Sequence, residues 1–169
     1  MSLSMYRITV PAYVLGLKAL AGYLAKASAY AHDNHLDPVE LVGARLAPDM
    51  LTLAGQIQRA SDTSKNAIAR LLGSEAPRME DNETTFDELA SRVDRTRAFI
   101  EGADRATLDA SADREVTLAF GDYRKTFTGE AYVLEFALPN FYFHVAMTHA
   151  ILRNKGLPVG KLDYFGAGA

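Results

Sequence analysis

The sequence predicts an all-α protein: a four-helix bundle with a short β-hairpin in the connection before the last helix, forming one domain over residues 1–169. Three observations carry that prediction. Four long segments repeat apolar residues at steps of three and four, each leaving one apolar stripe. Stretches containing proline and glycine separate them. One pair of alternating segments, flanking Gly121-Asp122, gives the only β signal. Amphipathic helices of this length bury their stripes most economically against one another. A chain of 169 residues, 49% hydrophobic, can build that core without metal or disulfide staples.

Val10, Tyr13, Val14, Leu17, Leu20, Ala21, Leu24, Ala27 and Ala31 mark helix one, roughly Ser4 to Ala31. Pro11 belongs in its first turn or two, so regular structure is expected from about Thr9. A polar connection follows, with a short helical piece around Val39 to Leu46. Pro48, at a first helical position, is expected to open helix two, with Met50, Leu53, Ala54, Ile57, Ser61, Ser64, Ile68 and Leu71 as its stripe and Gly73 as its C-terminal cap. After a loop containing Pro77, Thr85 and Glu88 form a capping box for helix three, whose stripe is Phe86, Leu89, Val93, Thr96 and Ile100, ending at Gly102. Glu115–Phe120 and Tyr123–Phe127 pair through a II′ turn at Gly121-Asp122. Thr128 caps helix four, about Gly129 to Asn154, which Pro139 is expected to kink.

Composition excludes several classes. The chain has no cysteine, so thiolate ligands, disulfides and a protein thiol nucleophile are ruled out. A net charge of -3, from 18 basic and 21 acidic residues spread along the chain, provides no footprint for nucleic acid or anionic lipid. The apolar stretch Val10–Tyr30 is interrupted by Lys18 and Lys26, which fall off the stripe, so it reads as a core helix rather than a secretory leader or membrane span. A cytoplasmic location is expected.

Ala47-Pro-Asp-Met50, Thr126-Phe-Thr-Gly129, and Leu138-Pro-Asn-Phe-Tyr-Phe-His144 running to Gly160-Lys-Leu-Asp-Tyr-Phe-Gly166 together resemble an uncharacterised branch of the DinB/YfiT-like superfamily. The resemblance implies a four-helix bundle and frequent homodimers. It also implies, for better-understood relatives, a divalent metal held by three histidines, one on the second helix and two at i and i+4 on the last; some use a low-molecular-weight thiol as co-substrate. This chain departs from that pattern. Helix two has no histidine, and Gln58 and Asp62 are the positions expected to face the site. Thr148 stands four residues after His144, and the second histidine, His149, is five residues on, roughly 140° around the helix.

His144 shares the interior stripe of helix four with Ala137, Asn140, Phe141, Met147 and Ile151. It reads either as a core histidine bonded to Asp62, Gln58 or a tyrosine, or as one ligand of a weak divalent-metal site completed by Asp62 and Gln58. The expected pocket is Gln58, Asp62, Asn140 and His144, with Asp62 orienting His144. Tyr132, Phe136, Phe141, Tyr142 and Phe143 are expected in the core and against a second subunit. Lys161 and Asp163 read as a surface ion pair or an anion contact, and His32, Asp33 and His35 as solvated loop groups. The functional expectation is a homodimer that lacks the full three-histidine site and binds a small molecule near His144. The alternative is a divalent-metal-dependent hydrolase, or a thiol-dependent transferase or isomerase, using His144 and Asp62.

Overall fold

Each long helix begins where a side-chain oxygen can satisfy its first free N–H groups. In the computed structural model, which describes residues 4–166, Ser4 caps α1 (Met5–Asp33) and Thr52 caps α3 (Leu53–Leu72) by accepting from Gly55 N at 3.1 Å. Thr85 and Glu88 complete the expected capping box of α4 (Phe86–Glu101), with bonds of 3.2 and 3.0 Å. The short α2 (Pro38–Val42) and α5 (Arg105–Asp109) lie in the first and third connections.

Two starts differ from expectation. α1 is regular from Met5, and Pro11 sits inside it on an exposed position, where the carbonyl it leaves without a donor can meet water. The second long helix opens at Leu53, not Pro48: Met50 N bonds to Ala47 O at 3.0 Å and Leu53 N to Ala44 O at 2.8 Å, so residues 44–52 form a turn before Thr52 caps the helix. Gly73 ends α3 in the left-handed region, φ 70°, with Ser74 N bonded to Ala69 O at 2.9 Å.

β1 (Glu115–Phe120) and β2 (Tyr123–Thr128) pair antiparallel, with Phe120 opposite Tyr123 across Gly121-Asp122. Gly121 alone of the two turn residues has positive φ, 53°, the pattern of a II′ turn. Val116, Leu118 and Phe127 turn inward and fix the hairpin on the bundle.

The fourth helix is continuous but not uniform. Thr128 caps α6 (Gly129–Tyr132), a π-helical turn follows at Val133–Ala137, and α7 (Leu138–Asn154) continues from it. Within the wide turn Leu138 N reaches back to Val133 O, five residues away. Pro139 follows at once, so the discontinuity expected of the proline takes the form of one over-wide turn. The small α8 (Lys161–Tyr164) packs on α1 and α7.

The long helices form a closed ring: α1 beside α4, α4 beside α3, α3 beside α7, and α7 beside α1, leaving α1 and α3 diagonal. The core between them includes Tyr13, Leu17, Leu20, Ile57, Ile68, Leu89, Val93, Phe141 and Ile151. By length and composition α1 could cross a membrane, but 50% of its most apolar window is buried in the bundle, as in a core helix. No membrane protein is indicated.

Candidate functional site

The inward polar groups of the last helix meet α3 in three contacts spaced seven residues apart on α3. His144 Nδ1 donates to Gln56 Oε1 at 2.8 Å, Asn140 Nδ2 to Thr63 Oγ1 at 2.8 Å, and Arg70 Nη1 to the Tyr132 hydroxyl at 3.0 Å. As numbers rise on α3 they fall on its partner, so the two elements run antiparallel, with Gln56, Thr63 and Arg70 at heptad spacing along one edge. Gln56 is 2% exposed and His144 8%. Burial, and secondarily the Arg59 guanidinium, push the His144 imidazole down to about 4. It is therefore neutral near pH 7, with its proton on Nδ1 and a lone pair on Nε2. Thr148 turns its hydroxyl back to His144 O at 2.9 Å.

The expected partners of His144 are elsewhere. Asp62 accepts from Arg92 Nη2 at 2.8 Å and from Lys65 Nζ at 3.0 Å, and lies 3.2 Å from Arg59 Nη2. Gln58 donates to Glu83 Oε2 at 2.9 Å. Both belong to a cluster centred on Arg92, which is 1% exposed and also bonds Glu83 Oε1 at 2.8 Å, Asp81 Oδ1 at 2.9 Å and Glu80 O at 2.9 Å. Burial pulls the Glu83 carboxyl up, but the hydrogen bonds from Arg92 and Gln58 outweigh it and hold the group below the usual carboxylate range. The predicted quartet thus splits into three: Gln58 and Asp62 with Arg92, Asn140 with Thr63, and His144 with Gln56.

The second imidazole diverges as the helical geometry requires. His149 Nδ1 lies 2.8 Å from the Tyr23 hydroxyl on α1, and its ring meets Tyr164 edge-on at 6.5 Å. Asp163 pairs with Lys26, while Lys161 lies over the Phe165 ring, 5.8 Å from its centroid. His32 pairs with adjacent Asp33 at 3.1 Å in the open, and His35 is a turn residue at φ 54°. Of the aromatics, Tyr132 and Phe141 are buried, Phe136 and Tyr142 half-buried, and Phe143 is 52% exposed.

Gln56 is the residue that sequence reasoning passed over. It lies three residues after Leu53 and four before Ala60, on the apolar stripe itself, and a buried glutamine there is a polar group that needs a partner. The resemblance implies one ligand on the second long helix and two a turn apart on the last; the residues that meet His144 from those directions are Gln56 and Thr148. An imidazole, an amide oxygen and a hydroxyl already bonded to its own helix do not make a divalent-metal site. Among the described residues no group of three His, Asp or Glu side chains is arranged to hold an ion.

Residues 5–165 match the model of a family described as a domain of unknown function (DUF1993). The crystal structure of a DinB family member protein from Shewanella denitrificans superposes with a TM-score of 0.88 at 38% identity, covering 96% of this chain and 92% of that one. No curated protein matches. On the strength of the family match and of a bundle shared over nearly its whole length, the chain belongs to the DUF1993 family and is a DinB-like four-helix-bundle protein.

Proposed function

We propose that this protein is a cytoplasmic, homodimeric DinB-like bundle that has exchanged the three-histidine metal centre for a structural hydrogen bond, and that acts by binding a small molecule rather than through a resident metal. The observation that carries this is the bond from His144 Nδ1 to Gln56 Oε1 at 2.8 Å, between two side chains buried in the α3–α7 seam. It joins the positions where metal ligands would otherwise meet. Of the pocket expected around Gln58, Asp62, Asn140 and His144, Asn140 and His144 belong to the α3–α7 polar seam, and a ligand near His144 would enter from the Nε2 side of the ring.

The same bond favours a second reading, because it pins the tautomer and leaves the Nε2 lone pair free, as an outer-shell partner does for a metal-ligating histidine. A metal-dependent hydrolase, or a thiol-dependent transferase or isomerase, would recruit Asp62 beside His144. The hold of Arg92, Lys65 and Arg59 on Asp62 opposes that recruitment.

Equilibrium dialysis against zinc, nickel and manganese, followed by elemental analysis, separates the two. The expected result is no stoichiometric metal in the wild-type protein and a gain of about one ion per chain in a Gln56→His, Thr148→His double variant. One tightly held ion in the wild type, lost in both His144→Ala and Asp62→Ala, would establish the second reading in its place.

A further inference from the structure

The C-terminal block Gly160-Lys-Leu-Asp-Tyr-Phe-Gly166 forms one wall of a cleft on the flank of α7 that faces α1, away from Gln56. Gly160 N donates to Asp163 Oδ2 at 2.7 Å, closing the single turn of α8, and the same carboxylate pairs with Lys26 of α1. Asp163 therefore shapes the tail and also ties it down. The next two residues, Tyr164 and Phe165, are thereby held over the groove between α1 and α7. Leu15, Gly16, Tyr142 and Val145 line the rest, and the space is about 270 Å³.

Two features of this cleft have no evident folding purpose. Phe165 is 50% exposed although Asp163, two residues before it, is bonded to Gly160 N and paired with Lys26. The phenol hydroxyls of Tyr142 and Tyr164 have no hydrogen-bond partner among the described residues, while both rings are half-buried. Just beyond Val145, the Tyr23–His149 pair meets the edge of Tyr164. An aromatic-walled, mostly carbon-lined recess with a few free polar groups is the usual form of a small-molecule site.

We propose that this cleft binds an uncharged, planar aromatic molecule of one or two rings carrying a hydroxyl or amine, packed against Tyr142, Tyr164 and Phe165. The volume admits a fused two-ring compound, and the free phenol hydroxyls offer one polar substituent both a donor and an acceptor. None of the six lining residues is charged, Lys26 and Asp163 neutralise each other, and the Lys161 ammonium lies against the Phe165 ring, 5.8 Å from its centroid, which favours an uncharged aromatic ligand. The assignment rests on the small-molecule-binding reading above but moves the ligand to the far flank of α7, and it does not depend on whether His144 holds a metal.

The test is titration of the full-length chain with 2-naphthol and 1-naphthylamine, followed by fluorescence anisotropy; with no tryptophan in the sequence, the probes are read without indole background. Saturable binding of one probe per protomer is expected. Phe165→Ala and Tyr164→Ala, checked for native circular dichroism, should each weaken it about tenfold, the loss of one aromatic contact and its buried area. Val39→Ala, an exposed apolar control on α2, should leave it unchanged. Absence of saturation with both probes, or equal affinity in the two aromatic variants, would overturn the assignment. Tighter binding of 2-naphthoate than of 2-naphthol would overturn the uncharged class. Binding weakened instead by His144→Gln would overturn this cleft but uphold a ligand near His144.

Discussion

At the residue scale His144 couples the core to pH. Its folded-state value of about 4 lies below the ordinary imidazole value of 6.5, so the unfolded chain accepts a proton that the native protein refuses. Stability is therefore at its full value above pH 6.5 and declines as pH falls toward 4, by up to about 3 kcal/mol from this group. Burial and Arg153 lower the His149 imidazole as well, against Asp163, and add in the same direction. Urea unfolding at pH 7, 5.5 and 4 should show that decline, and a His144→Gln variant should show a shallower one; equal slopes would mean that His144 is not held neutral by its site. Gly16 makes a second, sharper case. A Cβ there would lie 2.6 Å from Phe141 Cζ, and that ring is fully buried and packed edge-on to Tyr13 at 5.0 Å. Helix propensity favours alanine by about 1 kcal/mol, but the clash costs more, so Gly16→Ala should destabilise by about 2 kcal/mol in a denaturant titration. Little of the candidate site was legible at this scale. The inward aim of His144 and the divergence of His149 follow from 100° per residue, whereas the partner of His144 depends on how far α3 slides along α7, which neither stripe encodes.

Among the elements, the loop between α3 and α4 owes its place to charge. Arg92 reaches from α4 to Asp62 on α3 and to Glu80, Asp81 and Glu83 on the loop, so one buried guanidinium ties three segments together. Replacing it with leucine strands Asp62 and Glu83 without their main partner, a far greater penalty than the few tenths of a kcal/mol of an exposed pair. Arg92→Leu should lower stability by about 3 kcal/mol and make residues 74–84 newly sensitive to limited proteolysis; a resistant loop would show that the carboxylates are dispensable. The elements themselves were largely readable. The stripe and capping box of α4 locate it to within about two residues, whereas α1 is regular from Met5, four residues before the start that Pro11 suggested. Pro48 misplaced the start of α3, because a proline at a first helical position and a threonine cap four residues later are both valid start signals and only tertiary contacts choose between them. The π-helical turn left no mark in the residue types except Pro139, since the widening of one turn is a backbone adjustment to a ring, not a change of pattern.

On the scale of the whole molecule, the proposed homodimer would be built on the outward face of α7. From Phe136 to Leu152 the chain carries no Asp, Glu, Lys or Arg, although the helix is an outer wall. Pro139, Phe143, Ala146 and Ala150 follow one another at steps of four, three and four; the first two are exposed and the alanines half-buried. That spacing draws a seam along the outward side, and the small alanines beside a large phenylalanine allow two such helices to approach closely. A helix of this composition crossing its own copy about a two-fold axis meets the same seam in reverse, the self-complementary contact of a cyclic dimer. No complementary charge is needed, and a charge placed on the seam would be buried against its own image. Phe143→Glu and Ala146→Glu should therefore each yield monomers by size-exclusion with light scattering at micromolar concentration, without changing the helical circular dichroism, whereas Val39→Glu on exposed α2 should remain dimeric. A wild-type protein that elutes as a monomer under the same conditions would leave this face without a second copy, and the homodimer would have to be given up.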